Sequence, residues 1–360
     1  MLVKDFDYKL PRELIAQYPP KERGKSRLLV LHRKTQKIEH QRFHNIVEYL
    51  GQGDILILNE TKVIPARLIG RRVGTGGKVE VFLLKGNSPF VPEAHPPLAE
   101  RTLLPQKMGL KSCVWEVLIS PGRAKKAGVK VEFGPNFWGE VCSAGVYPTH
   151  PIFEFHFDGG DFNTLLEQYG KIPLPPYIKR APVPEDYERY QTIYANVPGA
   201  CAAPTAGLHF TQDILDRLSE KGVEIVRLVL HTGFGSFKPI KSEKVEDYQM
   251  EPEYYEIPPT TVEKLKVAKR RVAVGTTTVR ALESVGFPIQ AGKGWADKFI
   301  YPPYEFKGVD VLITNFHLPK STLLLLVCAF ACKEFIFRAY REAIKHGYKF
   351  YSYGDAMLIL

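Results

Sequence analysis

The sequence predicts an α/β protein of multidomain α+β type: a large mixed α/β domain, discontinuous in sequence, with an inserted small antiparallel β-barrel domain. Strand-like and helix-like segments alternate at both ends of the chain, which is typical of an α/β domain. The middle contains short strand-like segments without a convincing helix. We therefore expect an α/β catalytic domain at residues 1–62 and 158–360, and a barrel-like domain at residues 63–157.

The first segment of the chain supplies the opening elements of the α/β domain. Residues 11–17 and 43–50 have helix-like patterns. Residues 27–32 and 37–41 predict a hairpin, and the apolar residues 54–58 predict a buried strand.

The inserted segment consists of short strands separated by Gly, Pro and Lys. The predicted strands are 66–73, 78–84, 114–119, 129–133, 137–142 and 152–157. The Pro-rich residues 87–100 predict a long loop. Short strands at close spacing favour a small antiparallel barrel or sandwich.

Helices return after residue 158 and again alternate with strands. A helix is predicted at 211–221, with Thr211 as its expected N-cap and Gly222 as its stop. The remaining predicted helices are 162–169, 261–268, one from 278, and 322–345. The predicted strands are 223–230, 272–274, 309–314 and 350–353.

Composition limits the classes of protein. The net charge of +10 fits either a solvated basic surface or a polyanionic partner such as nucleic acid. The five cysteines include no Cys-x-x-Cys pair, and Cys328 and Cys332 have the spacing of two core residues, so we expect no metal and reduced thiols. The apolar run 323–332 is about half of what a bilayer requires. We therefore expect a cytoplasmic protein without a membrane segment.

Polar residues follow the apolar strands, which is where ligands bind in α/β domains. Asn59, Thr61 and Lys62 follow the strand predicted at 54–58, and the alternative is an exposed turn that leads into the inserted domain. His231 follows a later strand, in a Gly-containing loop that ends near Lys238. A histidine there can act as a general base, and the alternative is a tight turn with a structural histidine.

Two further junctions lead into helices. Thr276, Thr277 and Arg280 surround a predicted helix start, whose free N–H groups suit a carboxylate or phosphate, and the alternative is N-capping by threonine. Asn315 and His317 alternate in the segment before the long helix, so they can share one side of it.

The segment 203–211 also leads into a helix and contains Thr205 and His209; a single histidine here is more often structural. Several motifs of other enzyme classes are absent. The chain has no Gly-x-Gly-x-x-Gly between a first strand and helix, no Walker lysine at the threonine-rich turn, no His-Glu-x-x-His and no Gly-x-Ser-x-Gly. These absences disfavour a Rossmann methyltransferase, a nucleoside triphosphatase, a zinc protease and an α/β-hydrolase.

Six longer motifs are spread over nearly the whole chain. They are SRLLV (26–30), KVIPAR (62–67), AAPTAGLHFT (202–211), VGTT (274–277), TNFHLPKSTLL (314–324) and SYGDAM (352–357). Together they resemble the S-adenosylmethionine:tRNA ribosyltransferase-isomerase family of queuosine biosynthesis. Where the family has Asn-Asp-Thr-Lys, this chain has Glu60 in second place. The family's motif His-x-Met-His-x-Glu reads Tyr-Gln-Met-Glu-Pro-Glu at 248–253 of this chain, which retains the glutamate as Glu253 but neither histidine.

The resemblance implies a transferase that moves and isomerises the ribosyl group of S-adenosylmethionine. The acceptor would be 7-aminomethyl-7-deazaguanine at the wobble position of tRNA with a GUN-type anticodon. The products would be epoxyqueuosine-tRNA, adenine and methionine. S-adenosylmethionine would be a co-substrate, with no metal or other cofactor, and the enzyme would act as a monomer in the cytoplasm.

This chemistry needs a base, an adenine protonator and an anchor for the methionine carboxylate. His209, His231 and His317 are the base candidates, and Glu253 completes the expected catalytic set. Glu253 or Asp355 would bind the methionine ammonium, and Thr276, Thr277 and Arg280 would anchor an anion. The other expected substrate-binding residues are Asn59, Thr61, Lys62, Arg67, Thr205, Lys238 and Asn315.

Two other classes of function remain open at this point. One is a non-catalytic RNA-binding or assembly factor on the same fold, favoured by the two absent histidines and opposed by the intact histidine-bearing junctions. The other is an enzyme that transfers from S-adenosylmethionine or another nucleoside donor to a small molecule, and dependence on tRNA separates it from the main hypothesis.

Overall fold

The computed structural model of the protein describes residues 1–86, 111–143, 145, 150–233, 235 and 239–360. The predicted loop at 87–100 lies outside this range. The chain divides into two compact units. The larger comprises Met1–Lys62, Pro175–Val197 and Ala203–Leu360, and the smaller Val63–Leu174 and Pro198–Ala202.

The described residues form strands, α-helices and short 3-10 helices. The strands are β1 (Arg27–His32), β2 (Lys37–Arg42), β3 (Asp54–Asn59), β4 (Thr61–Val63), β5 (Arg67–Arg72), β6 (Lys78–Gly86), β7 (Lys111–Ser120), β8 (Lys130–Gly134), β9 (Phe137–Ser143), β10 (Ile152–Phe157), β11 (Gly170–Lys171), β12 (Val197–Ala200), β13 (Glu224–Leu230), β14 (Glu253–Ile257), β15 (Arg270–Val274), β16 (Gly292–Ala296), β17 (Val311–Asn315) and β18 (Ala356–Ile359). The α-helices are α1 (Phe162–Tyr169), α2 (Pro184–Arg189), α3 (Gln212–Glu220), α4 (Pro259–Lys266), α5 (Thr276–Ser284), α6 (Thr322–Ala331) and α7 (Lys333–Lys345). The 3-10 helices are Val3–Phe6, Arg12–Leu14, Phe43–Glu48, Gly122–Lys125 and Thr205–His209.

The larger unit is built on a nine-stranded mixed sheet with the order β16-β14-β13-β3-β15-β17-β18-β1-β2. The four central strands β13, β3, β15 and β17 are mutually parallel, whereas β18 runs antiparallel to β17. All residues of β3 and β17 are buried, which is expected of strands covered on both faces. The carboxyl ends of the four parallel strands therefore meet at one edge of the sheet, where the amino end of β18 also lies.

The smaller unit is a closed antiparallel barrel. Its strands follow the order β11-β5-β6-β7-β10-β9-β8, and β5 also pairs with β8, which closes the sheet. Phe137, Phe153 and Phe155 are fully buried within it. Phe162 of α1 packs on this aromatic core, 5.1 Å from Phe155 between ring centroids. This packing explains why residues 158–174 belong to the smaller unit, whereas we expected them in the larger one.

The predicted fold class is confirmed, with corrections to several elements. The helices expected at 11–17 and 43–50 are shorter 3-10 helices. The helix expected at 322–345 is broken at Cys332, whose left-handed φ of 67° interrupts the helical ladder. The strand expected at 350–353 is absent, and β18 follows it instead. Across the described ranges, no helix combines the length and the apolar character needed to cross a membrane.

Candidate active site

The carboxyl ends of the parallel strands border a cavity within the larger unit, as expected for an α/β sheet. Several chain segments meet there: the turn from β15 into α5, the segment between β17 and α6, and the 3-10 helix that precedes α3. Six of the predicted site residues line the cavity: Thr205, Thr276, Thr277, Arg280, Asn315 and His317. The tertiary structure thus brings together residues that are more than a hundred positions apart in sequence.

His317 is held in a fixed orientation at the cavity wall. Its Nε2 lies 2.7 Å from the hydroxyl oxygen of Thr314, and its backbone N–H donates to the hydroxyl of Tyr340 at 2.9 Å. Its carbonyl oxygen accepts from the hydroxyl of Tyr8. Burial lowers the pKa of His317 to about 3, so the imidazole is neutral at pH 7. A neutral and oriented imidazole can accept a proton from a ligand.

His209 uses both ring nitrogens inside the protein. The amide nitrogen of Asn315 donates to Nε2 at 3.1 Å, so Nδ1 carries the proton and donates to Ser26 Oγ at 2.7 Å. The Oδ1 of Asn315 accepts from the Thr205 hydroxyl at 2.9 Å. Burial, and secondly the charge of Arg23, lower the pKa of His209 to about 3. The neutral ring therefore orients Asn315, which in turn orients Thr205 at the cavity.

The start of α5 forms another part of the cavity wall. Gly275 adopts a φ of +89°, which a side chain would strain, and its N–H donates to the carbonyl of Ile313 at 2.8 Å. Thr276 and Thr277 follow as the first residues of α5 and are both buried. Because the first turn of a helix has unpaired N–H groups and the positive end of the helix dipole, this end of α5 attracts an anion.

A buried ion pair connects the cavity to the antiparallel edge of the sheet. Arg280 donates through Nη1 to Glu253 Oε2, and through Nη2 to the carbonyl of Ala296 at 2.9 Å. The other carboxylate oxygen of Glu253 accepts from the N–H of Gly233 at 2.8 Å. Arg280 and Glu253 are 2% and 5% exposed. The Nε of Arg280 has no hydrogen-bond partner among the described residues.

Three predicted residues at the ends of β3, β4 and β13 are not part of the lining described for this cavity, although one of them, Asn59, also donates to the hydroxyl of Thr277 at 3.3 Å. The side chain of Asn59 donates to the carbonyl of Leu230 at 2.9 Å and accepts from its N–H at 3.0 Å. The hydroxyl oxygen of Thr61 lies 2.8 Å from Nδ1 of His231. The His231 ring stacks on Tyr254 with 5.6 Å between centroids.

The other predicted site residues lie elsewhere. Lys62 is exposed on β4. Arg67 belongs to the barrel, where it forms two hydrogen bonds of 2.9 and 2.8 Å to Glu80. Asp355 accepts from the backbone N–H groups of Arg27 and Lys349, at 2.7 and 2.8 Å, and burial raises its pKa. Lys238 lies outside the described residues.

Comparisons with known proteins identify relatives over the full length of the chain. The family model described as "Queuosine biosynthesis protein" matches residues 3–359. An S-adenosylmethionine:tRNA ribosyltransferase-isomerase of Halothermothrix orenii is 47% identical, and one of Aquifex aeolicus is 46% identical; each alignment covers 100% of both chains. A crystal structure of S-adenosylmethionine tRNA ribosyltransferase from Thermotoga maritima is similar at a TM-score of 0.52, with 38% identity over 99% of this chain and 100% of that one.

The chain belongs to the queuosine biosynthesis protein family. The predicted resemblance is thereby confirmed, and so is the prediction that the chain is an enzyme of the ribosyltransferase-isomerase class. Residues 248–253, whose sequence departs from the family's pattern, make specific contacts in this structure. Tyr248 packs edge-on against Phe299, and Glu253 pairs with the buried Arg280.

Sequence reasoning missed several residues that line the cavity of this queuosine biosynthesis protein. They include Tyr177, Thr232, Tyr351 and Ser352. The hydroxyls of Tyr177 and Ser352 lie 2.6 Å apart, and the rings of Tyr177 and Tyr351 are 4.7 Å apart. Thr232 is buried, and its Oγ1 has no hydrogen-bond partner in the described part of the chain. Ser352 could have been found from the sequence, because it belongs to the motif at 352–357. Tyr177 lies in a Pro-rich stretch that no motif marked.

Among the described residues, one cluster has the composition of a metal site. It joins His40 of β2 to Glu342 of α7 and to His346, the residue that follows α7, with Glu342 Oε1 3.5 Å from His40 Nε2 and 3.1 Å from His346 Nδ1. None of these residues lines the cavity at the strand ends. Cys328 and Cys332 are not part of this cluster; Cys328 is buried, which raises its pKa.

Proposed function

We propose that this protein transfers and isomerises the ribosyl group of S-adenosylmethionine onto 7-aminomethyl-7-deazaguanine at the wobble position of tRNA with a GUN-type anticodon. The products are epoxyqueuosine-tRNA, adenine and methionine. The observation that carries this proposal is the full-length similarity to relatives named S-adenosylmethionine:tRNA ribosyltransferase-isomerase. Action as a monomer in the cytoplasm, without a metal or further cofactor, stays a prediction.

We assign the S-adenosylmethionine site to the cavity at the strand ends. Two residues of its lining have buried polar atoms without a partner among the described residues, Thr232 Oγ1 and Arg280 Nε. A buried polar atom without a partner costs about 1–3 kcal/mol, so a ligand that bonds to both gains binding free energy. The start of α5 favours a carboxylate, which the methionine part of the co-substrate supplies.

The chemistry begins with removal of a proton. The sulfonium acidifies the C5′ protons of the ribose, and a base that removes one leaves an ylide that expels adenine as the sugar rearranges. The amine of the modified base then attacks, and methionine leaves as the epoxide forms. We assign the base to His317, because it lines the cavity and is neutral at pH 7, and a positioning role to His209, because both of its nitrogens are used internally.

The decisive experiment incubates the enzyme with S-adenosylmethionine and tRNA that carries the aminomethyl base. Release of adenine and methionine with this tRNA, and not with tRNA that carries guanine, is the expected result. Formation of S-adenosylhomocysteine would indicate methyl transfer and overturn the proposal, and release without tRNA would favour a small-molecule acceptor.

The assignment of His317 is tested by His317→Ala. Loss of a general base typically costs 10²–10⁴-fold, so kcat should fall by about that factor. His44→Ala is the matched control, since His44 lies on the 3-10 helix Phe43–Glu48, outside the cavity lining. Full turnover by His317→Ala would remove this residue from the mechanism while leaving the overall reaction in place.

A further inference from the structure

A surface segment is fastened directly beside the cavity. Gln17 Nε2 donates to the carbonyl of Tyr177, which lines the cavity, at 3.0 Å. Gln17 Oε1 accepts from the N–H of Lys179 at 2.7 Å, and the carbonyl of Gln17 accepts from Arg180 Nε at 2.9 Å. Residues 17–25 and 177–193 therefore form a continuous surface that begins at the cavity wall.

This surface presents an exposed aromatic ring on a rigid support. Tyr18 is 60% exposed, and the guanidinium carbon of Arg180 lies 4.1 Å from the centroid of its ring. Arg180 is fixed by two hydrogen bonds to Asp186, at 2.6 and 2.9 Å. Asp186 is 1% exposed and also accepts from the hydroxyl of Tyr353 at 2.7 Å. The Tyr18 ring is thus available for stacking, at little further cost in conformational entropy.

The same surface has cations that form no ion pair with a carboxylate of the described residues. Lys21, Lys25 and Lys179 are exposed and form no ion pair within the described ranges. Arg189 donates to the carbonyls of Pro20 and Lys21. Arg23 donates to the backbone carbonyls of Gln191 and Leu208 at 3.1 and 2.9 Å. Backbone carbonyls fix the direction of a guanidinium but leave its charge in place.

Carboxylates are fewer than cations on this surface. Glu22, Glu185 and Glu188 are exposed, and Asp186 is neutralised by Arg180. The five cations named above outnumber the three exposed carboxylates, so the surface attracts a polyanion. Aromatic side chains that accept stacked bases, combined with cations that contact phosphates, are the means by which proteins bind single-stranded RNA.

We infer that the surface formed by Tyr18, Lys21, Lys25 and Lys179 binds the single-stranded RNA next to the base that enters the cavity. A base inside a pocket has left its stack, so its neighbours in the loop must lie just outside the pocket. Tyr18 stacks one of these neighbouring bases, and the three lysines contact backbone phosphates. The inference rests on the proposed function and assigns the surface that contacts the anticodon loop.

Binding of an anticodon stem-loop RNA, measured by fluorescence anisotropy at several salt concentrations, tests the inference. Tyr18→Ala should weaken binding by about 5- to 100-fold, and Tyr18→Trp should restore it. The triple variant Lys21→Ala, Lys25→Ala and Lys179→Ala should weaken binding and reduce the salt dependence by about 0.7 in slope for each phosphate that is no longer neutralised. In turnover assays both variants should raise KM for tRNA and leave kcat unchanged.

Matched controls exist on other surfaces. Phe287 is also 60% exposed, and Arg271 lies 5.7 Å from its ring centroid, so Phe287→Ala removes a similar exposed aromatic ring. Lys34→Ala removes an exposed lysine elsewhere. Both controls should bind RNA as the wild type does. The thermal shift produced by S-adenosylmethionine should be equal in all variants, which shows that each is folded with an intact cavity.

The outcomes separate this inference from the proposed function. If the wild type binds and modifies tRNA while Tyr18→Ala and the triple variant behave like it, the surface is wrong and the function stands. If Phe287→Ala and Lys34→Ala weaken binding as much, RNA contact is general rather than local, and the inference is also overturned. If the wild type releases no adenine with tRNA, the proposed function fails and this inference fails with it.

Discussion

Two neighbouring regions of the strand-end edge use similar polar residues for different purposes. At the ends of β15 and β17, Thr276, Asn315 and His317 line the cavity. At the ends of β3, β4 and β13, Asn59 bonds to the backbone of Leu230 and Thr61 bonds to His231, and Asn59 also touches the lining, through the Thr277 hydroxyl at 3.3 Å. A polar residue at a strand end therefore predicts the functional edge of a sheet, but it does not distinguish a ligand contact from a support.

Arg280 connects the first of these regions to β14, because it lines the cavity and pairs with Glu253. Removing one member of a buried ion pair leaves the other charge uncompensated, which costs about 3–5 kcal/mol. We expect Arg280→Met to lower the free energy of unfolding by this amount in urea denaturation and to weaken S-adenosylmethionine binding.

The exposed pair of Lys293 and Glu256 on neighbouring strands is the control for this variant. Its side chains are 56% and 40% exposed, so Lys293→Met should change the free energy of unfolding by less than about 1 kcal/mol. If Arg280→Met and Lys293→Met lowered the free energy of unfolding equally, the buried ion pair would be no more important for stability than the exposed one.

The second prediction concerns pH and the two buried histidines. Burial lowers the pKa of both His209 and His317 to about 3, whereas an unfolded chain has a histidine pKa near 6.5. As pH falls below about 6.5, the unfolded state binds protons that the native state does not, so the native state loses stability. Between pH 7 and pH 5 each imidazole should reduce the free energy of unfolding by about 2 kcal/mol.

Urea denaturation of His209→Gln and His317→Gln at both pH values measures this contribution. Each substitution should remove about half of the decrease in the free energy of unfolding that the two histidines cause between pH 7 and pH 5. This applies equally to His209, which supports the site, and to His317, which lines the cavity. An unchanged pH dependence in both buried-site variants would show that burial does not lower the pKa of these rings below that of the unfolded chain.

The smallest expected effect comes from comparing Asn59, which supports the strands, with Asn315, which lines the cavity. Asn59→Ala removes both hydrogen bonds to the backbone of Leu230 and should cost about 1–3 kcal/mol of stability. Its kcat at a temperature where the protein is folded should fall less than about tenfold, because Asn59 reaches the cavity lining only indirectly, through the Thr277 hydroxyl at 3.3 Å. Asn315→Ala should have a comparable cost in stability but lower kcat by at least about tenfold, because Thr205 and His209 lose their common partner. If Asn59→Ala lost activity as strongly, the two regions would have the same role.

The sequence by itself determined the fold class and the sites where function was to be sought. Alternation of strands and helices predicted the α/β unit, and apolar strands followed by polar residues predicted its functional edge. The motifs predicted the family. These features are local, because strand and helix periodicity and the residues at strand ends are encoded in short stretches of chain.

Only the tertiary structure decided which polar residues line the cavity and which support it. Asn59 and Asn315 both follow an apolar strand, yet one bonds to the neighbouring strand and the other faces the cavity. Thr205, Arg280 and His317 come from distant segments, and Tyr177 joins them from a Pro-rich stretch that no motif marked. The order of strands in the sheet, which is set by long-range packing, brings these side chains together. It also lowers the pKa of His209 and His317, because burial is a property of the folded chain and not of its sequence neighbours.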